Sequence, residues 1–371
     1  MRLIRFLPYL LSYELWCLLR PVKRGRVLFL SDSHLGFVGN MAFLRDAMER
    51  RFPDVEFRGL FKKSLATRRS LRDAVRLPYL MATSSIIILD DFYPVIYPMR
   101  IRTGVRVVQL WHAAGAFKRV GHSRAGLPGG PTTGSEIHRN YTDAVVSSAQ
   151  IVDDYAEAFA LPRERVHAWG MPRSDAFFDA ARVSATRSRV RRDLGVADDE
   201  RLVVYAPTFR GKGQTSAYGA PETGWDDIAE QLGAGWRVAV RPHPFVAQRS
   251  LPRGVMDASA IPEMNDLLMA TDILVTDYSS AIFEFALLQR PMVFFVPDLV
   301  EYSESRSFYR PFDHYAVGPV VEHAAELASA IRSAAVDRVR LDAFVNEFCG
   351  ALDGASSDRI AGQLLGGVGY P

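Results

Sequence analysis

Short apolar runs that end in polar residues recur along the chain and alternate with helical stretches. In the first half the runs are GRVLFLSDS, SSIIILDD, VRVVQLWHA and DAVVSS. In the second half they are RLVVYAPTFRG, WRVAVRPHP, ILVTDYSS and MVFFVP. Strands that alternate with helices in this way predict a doubly wound α/β fold with parallel sheets.

The alternation is interrupted once, at residues 170–200, by GMPRSDAFF and an arginine-rich helical stretch. A chain of 371 residues is also longer than one typical domain. We therefore predict a junction near residue 180, with Rossmann-like domains at 25–180 and 181–371. The final helices belong to the second domain in sequence but are able to pack back on the first.

Residues 1–24 form a separate N-terminal segment. An apolar, aromatic stretch lies between Arg2 and Arg5 on one side and a basic group that starts at Arg20 on the other. Pro8 and Glu14 interrupt it, and it is shorter than the ~20 residues needed to span a bilayer. No signal-peptide cleavage site follows. The pattern favours an amphipathic helix in the membrane interface; the alternative is a helix docked on the first domain.

Composition narrows the function classes. A hydrophobic fraction of 48% and a charged fraction of 23% are typical of a soluble globular protein. A formal net charge of +3 gives no indication of nucleic-acid binding. Cys17 and Cys349 belong to no metal or redox motif, and the eight histidines show no HxxxH pairing. A structural zinc site is therefore not expected.

The stretch 273–297 predicts one βαβ unit whose loop carries a ligand site. In parallel sheets, ligands bind beyond the carboxyl ends of the strands. Ser279 or Ser280 after Asp277 is placed to cap the helix, so that free N–H groups face a phosphate. Glu284 lies one residue too far along for a capping box and is available to hold a ribose hydroxyl. The alternative is an ordinary capped helix with a surface glutamate.

Two further strand ends in the second half carry candidate phosphate ligands. In YAPTFRGKG, Thr208, Arg210 and Lys212 follow a strand, and arginine binds phosphate oxygens bidentately. In RPHP, two prolines hold His243 in a rigid extended loop. This placement suits phosphate contact or proton transfer. The alternatives are a solvated loop and a turn histidine bonded to backbone.

In the first half, QLWHAAGAFKRVG places His112 directly after a strand, with small residues behind it and Lys118 and Arg119 beyond. Imidazole suits a general base at neutral pH, although a lone histidine can also be structural. Asp90 and Asp91 end the preceding strand. They suggest either a metal-bound diphosphate or a turn signal.

The order of LWHAAGAFK, YAPTFRG, RPHP, TDYSSAIFEFALLQRPMVFFVPDLVEY, VGPVV and DGASSDR resembles the CDP-glycerol glycerophosphotransferase family of teichoic acid synthesis, over roughly residues 25–365. The resemblance implies a GT-B fold, with two Rossmann-like domains facing across a cleft. It also implies a peripheral protein of the cytoplasmic membrane face that acts on undecaprenyl-diphosphate-linked glycan acceptors. The WHAAGAFK form looks more like the primase branch than the polymerases. Ribitol-phosphate and capsular-polymer transferases share the motifs.

The resemblance also implies a reaction in which an acceptor hydroxyl attacks the glycerol-bearing phosphorus of CDP-glycerol and CMP leaves. His112 is then the base or the group that orients the acceptor, His243 is the second catalytic residue and Glu284 is the ribose ligand. Lys118 and Arg119 lie on the acceptor side. No cofactor is required, although magnesium can assist. The rival functions are a GT-B glycosyltransferase that uses a nucleotide sugar and a catalytically inactive membrane-bound scaffold. The residues expected to hold the donor diphosphate are Thr208, Arg210, Asp277, Ser279 and Ser280.

Overall fold

The structure is a computed structural model that describes residues 6–62, 69–70, 72–132, 134–211, 216–221, 223–246 and 251–366. It divides into two compact units. Unit 1 comprises Met1–Asp175 and Cys349–Pro371, and unit 2 comprises Ala176–Phe348. Arg2, Arg5 and Lys212 lie outside the described residues.

Unit 1 is built on a parallel sheet of six strands among the described residues. The strands are β1 (Lys23–Ser31), β2 (Glu56–Phe61), β3 (Ser84–Leu89), β4 (Arg106–Gln109), β5 (Asp143–Val145) and β6 (Val166–His167). Its α-helices are α1 (Leu7–Leu19), α2 (Gly39–Arg51), α3 (Asp73–Thr83), α4 (Val152–Phe159) and α13 (Ser356–Leu365). The strand order is β2-β1-β3-β4-β5-β6.

The apolar runs of unit 1 form strands because both faces of the sheet are covered. Val27 and Phe29 alternate along β1 with Leu28 and Leu30, and all four side chains are buried. On one face, Val27 and Phe29 join a core with residues of α2 and α13. The polar residues that end these runs are thereby left at the carboxyl edge of the sheet.

Unit 2 has a second parallel sheet of six strands in the part of the chain that the structure describes. The strands are β7 (Arg201–Ala206), β8 (Trp236–Val240), β9 (Val255–Asp257), β10 (Ile273–Thr276), β11 (Met292–Phe295) and β12 (Val320–Val321). The α-helices are α5 (Ala180–Leu194), α6 (Trp225–Leu232), α7 (Met264–Ala270), α8 (Ala281–Ala286), α9 (Leu299–Arg306), α10 (Phe312–Tyr315), α11 (Ala324–Ser333) and α12 (Arg338–Cys349). The strand order is β12-β11-β10-β7-β8-β9.

The two strand orders locate the crevice that each sheet offers to a ligand. In unit 1 the order reverses between β1 and β3, as in flavodoxin-like sheets. In unit 2 it reverses between β7 and β10, the order found in dinucleotide-binding domains. The prediction of two doubly wound α/β folds is therefore confirmed. Among the described residues, no helix combines the length and the apolar character needed to cross a membrane.

One predicted element differs in length. The sequence of the βαβ unit at 273–297 favours a helix from Ala281 to Gln289, but α8 ends at Ala286. The amides of Leu287, Leu288 and Gln289 bond to carbonyls three residues back, so the chain tightens into a 3₁₀-type turn.

Candidate active site

His112 lies at the carboxyl edge of unit 1 and is paired with a carboxylate. Its Nδ1 lies 3.4 Å from Oδ1 of Asp91, which follows β3. The hydroxyl of Ser33, which follows β1, donates to the other oxygen of Asp91. About half of the His112 side chain is exposed. A carboxylate that orients an exposed imidazole is the arrangement of a general base and its positioning group.

The backbone before His112 is held in an unusual conformation. Trp111 has φ +58°, in the left-handed region that bulky residues rarely adopt. Its N–H donates to Oε1 of Gln109 over 2.8 Å, and its carbonyl accepts from Nδ2 of Asn40 over 2.9 Å. The Trp111 indole is buried and its ring centroid lies 4.4 Å from that of His112. These contacts stabilise the turn that presents the imidazole.

The charge of Asp91 favours one tautomer of His112. Burial alone would raise the pKa of Asp91, but the His112 contact and the Ser33 hydrogen bond lower it to about 2. Asp91 is therefore ionised at neutral pH, and its Oδ1, 3.4 Å away, favours a proton on the facing Nδ1 of His112. In that tautomer Nε2 is the proton acceptor, as a base requires.

Sequence reasoning did not find the role of Asp91, because Asp90 and Asp91 were read as a turn or a metal site. Among the described residues, no group of three or more His, Cys, Asp or Glu side chains is arranged to hold a metal ion. Asp91 and Ser33 are 58 residues apart in the sequence, so no local motif predicts their hydrogen bond.

Lys118 and Arg119, the predicted acceptor-side cations, lie in the loop beyond His112 and are partly buried. Arg119 lies 3.7 Å from the carboxylate of Glu157 on α4. Their contact with an acceptor stays a prediction.

In unit 2, Asp277 directly follows β10, at the crevice between β7 and β10. Its side chain is fully buried. It accepts the backbone N–H of Thr208 at 2.9 Å and the Thr208 hydroxyl at 3.0 Å. Arg210 donates to the same carboxylate over 2.8 Å. The structure thus brings three of the predicted diphosphate ligands together, but as partners of one another.

The guanidinium of Arg210 is committed to carboxylates. Nε and Nη2 form a bidentate pair with Asp298, at 2.6 and 3.0 Å, and Nη1 contacts Asp277. The group also lies over the rings of Tyr278 and Tyr302. Burial opposes its charge, but the two carboxylates raise the pKa of Arg210 further above its ordinary value. Arg210 therefore ties together the ends of β7, β10 and β11, and direct phosphate binding by it stays a prediction.

The start of α8 differs from the expectation of free amides. Ser280 occupies the N-cap position without a side-chain cap bond, and the Ala281 N–H donates instead to Oγ of Ser279 over 3.2 Å. The N–H groups of Ile282 and Phe283 bond to the carbonyls of Ser279 and Ser280. These three amides are therefore not free, and phosphate binding at the helix start stays a prediction. Both serines themselves remain partly exposed.

Glu284 is 2% exposed, so the alternative of a surface glutamate is wrong. It lies in α8, among buried neighbours. Its contact with a ribose stays a prediction.

His243 is partly buried in the loop after β8. Its Nδ1 accepts the N–H of Phe245 at 3.1 Å, as the backbone-bonded turn alternative anticipated. The neutral ring then carries its proton on Nε2 and acts there as a donor. Phe209 and Phe245 pack on the ring, with centroids 4.7 and 4.8 Å away. His243 is thus oriented as a hydrogen-bond donor, whereas His112 is oriented as an acceptor.

Comparison with known proteins identifies the family. The model for CDP-Glycerol:Poly(glycerophosphate) glycerophosphotransferase matches residues 12–366. The chain belongs to this family. The resemblance inferred from the motifs is confirmed.

Several relatives act in teichoic acid synthesis. The teichoic acid poly(ribitol-phosphate) polymerase of Bacillus spizizenii is 39% identical over 95% of this chain, which spans 58% of that protein. The teichoic acid ribitol-phosphate primase of the same organism is 30% identical, with 94% of this chain and 93% of the primase covered. Glycerol-phosphate relatives are 26–27% identical.

A solved structure of the wall teichoic acid polymerase TagF supports the fold. It has a TM-score of 0.76 at 20% identity and covers 95% of this chain and 92% of the other. At this identity the likeness establishes the fold alone.

Proposed function

We propose that this protein is a CDP-alcohol phosphotransferase that moves a polyol phosphate from its CDP ester to an acceptor hydroxyl and releases CMP. The Asp91–His112 pair carries the proposal. His112 Nε2 takes the proton of the attacking hydroxyl, and Asp91 orients the ring and stabilises the imidazolium that forms. The oxygen then attacks the phosphorus, and the bond from phosphorus to the CMP oxygen breaks.

Unit 2 is the donor side of this proposal. His243 donates from Nε2 to a donor phosphate oxygen, and Ser279 and Ser280 donate their hydroxyls. Asp277, Thr208 and Arg210 fix the loops that carry these groups. Glu284 is proposed for the ribose. No resident metal is required, and Mg²⁺ that accompanies the diphosphate assists charge neutralisation.

For the transferred alcohol we propose ribitol ahead of glycerol. The basis is the difference between 39% identity to a ribitol-phosphate polymerase and 26–27% to glycerol-phosphate enzymes. This choice reverses the preference drawn from the motifs alone. On acceptor use we keep the primase proposal, in which one unit is added to a lipid-linked glycan. The basis is the WHAAGAFK form of residues 111–118, and a ribitol-phosphate primase is among the relatives.

We further propose that α1 holds the protein at the cytoplasmic face of the membrane, where a lipid-linked acceptor resides. Four leucines lie on one face of α1 at spacings of four, four and three residues, and they are 48–85% exposed: Leu7, Leu11, Leu15 and Leu18. The opposite face buries Tyr13. Arg20, Lys23 and Arg24 follow and are exposed. Apolar burial and attraction to anionic lipid both favour interfacial binding.

Vesicle sedimentation tests the membrane proposal. The triple variant Leu11→Gln, Leu15→Gln, Leu18→Gln is expected to lose its binding to anionic vesicles. The control Val339→Gln changes a residue that is 82% exposed in unit 2 and is expected to leave binding intact. Equal binding of the two proteins would contradict the proposal.

A donor panel tests the reaction. Purified protein is incubated with a lipid-linked disaccharide and CDP-ribitol, CDP-glycerol or a UDP-sugar, with and without EDTA. Mass spectrometry is expected to show acceptor heavier by one ribitol phosphate and an equal amount of CMP. Transfer of glycerol phosphate alone would overturn the ribitol choice, addition of many units would overturn the primase choice, and transfer of a sugar would overturn the proposed function.

A further inference from the structure

A second imidazole–carboxylate pair lies beside the first at the carboxyl edge of unit 1. Nε2 of His34 lies 3.1 Å from Oδ2 of Asp90. His34 follows β1 and Asp90 follows β3, so this pair bridges the two strands between which the strand order reverses. That crevice is where doubly wound sheets bind ligands.

The two pairs are adjacent because their carboxylates are consecutive residues. Asp90 pairs with His34, which follows β1, and Asp91 pairs with His112, which follows β4. Both strands flank β3, and neighbouring strands lie about 4.8 Å apart. The two imidazoles therefore lie at the ends of two strands that are roughly 10 Å apart, with the carboxylates between them.

Asp90 is buried, unlike the carboxylate of an ordinary surface ion pair. Its side chain is 2% exposed, whereas His34 is 33% exposed. Its Oδ1 has no hydrogen-bond partner among the described residues. A buried carboxylate oxygen without a donor is costly and is often explained by function. The pair thus presents a partly exposed ring on a buried acid, at the mouth of the crevice.

The charges favour a hydroxyl over a phosphate as the ligand. Lys62 and Arg69, two cations in the described residues, both pair with Asp32, which also follows β1. Within the described chain, Asp90 and Asp91 pair with imidazoles and with no Lys or Arg. Carboxylates that lack a permanent cation repel an anion and accept hydroxyl protons.

We propose that His34, held by Asp90, is a specificity-determining residue that binds a second hydroxyl of the acceptor while His112 engages the attacking one. The ligand class is a short polyhydroxylated end, a polyol or sugar, rather than a simple alcohol. This inference rests on the proposed function, and it adds to it the residue that recognises the acceptor.

Histidine NMR tests the site without turnover. The full-length protein with labelled histidines is titrated with ribitol and with pentane-1,5-diol, which has the same chain length but lacks the inner hydroxyls. The His34 signal is assigned by its loss in His34→Gln. Ribitol is expected to shift the His34 signal and pentane-1,5-diol is not. Equal responses to both compounds, or to neither, would overturn the inference.

Kinetics separate recognition from folding. Two acceptors are compared, one with the second hydroxyl that His34 is proposed to bind and one in which that hydroxyl is replaced by hydrogen. For wild type, the KM of the first is expected to be roughly 10-fold lower, a difference that one hydrogen bond can supply. His34→Gln is expected to abolish this preference. A merely structural role would weaken both acceptors and preserve their ratio, and that result would contradict the inference. The matched control is His323→Gln, an exposed histidine of unit 2, which is expected to retain the preference.

The two proposals fail in different ways. If ribitol shifts the His34 signal but no CDP-alcohol is consumed, the proposed reaction is wrong and the polyol site stands. If transfer occurs with the same acceptor preference in His34→Gln, the reaction stands and the assignment of His34 is wrong. Asp90→Asn supplies a second variant, and it is expected to reduce the ribitol response of His34.

Discussion

The carboxyl edges of the two sheets use aspartate in opposite ways. In unit 1, Asp91 orients His112, a side chain that is half exposed. In unit 2, Asp277 is fully buried and binds Arg210, which is 6% exposed. Imidazole gains and loses a proton near neutral pH, whereas guanidinium remains charged. The comparison supports the proposal that proton transfer belongs to unit 1 and that unit 2 supplies a rigid charged support.

The largest expected effect tests the support in unit 2. Asp277→Asn removes the buried charge that accepts from Thr208 and Arg210 and leaves Arg210 with Asp298 as its remaining carboxylate, so we expect a loss of about 3 kcal/mol in the free energy of unfolding of unit 2. Hydrogen exchange should rise in β7 and β10 while β1 and β3 keep their protection. The control Asp342→Asn, on an exposed position of α12, should leave exchange unchanged. Unchanged protection of β7 in Asp277→Asn would break the comparison.

The next effect concerns the base in unit 1. His112→Gln is expected to reduce turnover by ~10²-fold or more, because acid–base catalysis is lost. Its thermal stability should stay close to that of wild type, since the side chain is half exposed. Initial rates of CMP release measure the first quantity and calorimetry the second. Turnover within threefold of wild type would remove His112 from the mechanism.

A smaller effect is a loss of stability in unit 1 at low pH, which is caused by His138. Burial, with a contribution from His122, lowers the pKa of His138 in unit 1 to about 3. In the unfolded chain the pKa is about 6.5, so stability is full above that pH and is lost progressively down to about pH 3. At pH 5 the loss is about 2 kcal/mol.

His138→Asn should remove this acid sensitivity while keeping the left-handed backbone of residue 138, which has φ +61°. Chemical denaturation of both proteins at pH 5 and at neutral pH measures the difference. An identical pH dependence in the two proteins would show that His138 does not cause it.

The strand ends could be read from the sequence, but their partners could not. Apolar runs that stop at Asp91, His112, Thr208 and Asp277 predict a parallel sheet with polar groups at one edge. Which groups meet depends on strand order. Asp277 and Arg210 are 67 positions apart, and the order β10-β7 brings them together.

Residue type alone also did not show which of these groups bind one another. Arg210 was assigned to phosphate because arginine binds phosphate bidentately, and Asp298 uses that same geometry. The helix start at Ser279 was assigned free amides, but α8 is short and its first amides are satisfied locally. His34 carried no signal, because its partner Asp90 is on another strand.

The tautomer of His112 tests the central claim most directly, since a base needs an unprotonated Nε2. Nitrogen-15 NMR of labelled histidine, at a pH where imidazole is neutral, distinguishes the two ring nitrogens, and His112→Gln assigns the signal. We predict a proton on Nδ1 and none on Nε2, with this preference lost in Asp91→Asn. A proton on Nε2 in the wild-type protein would contradict the account.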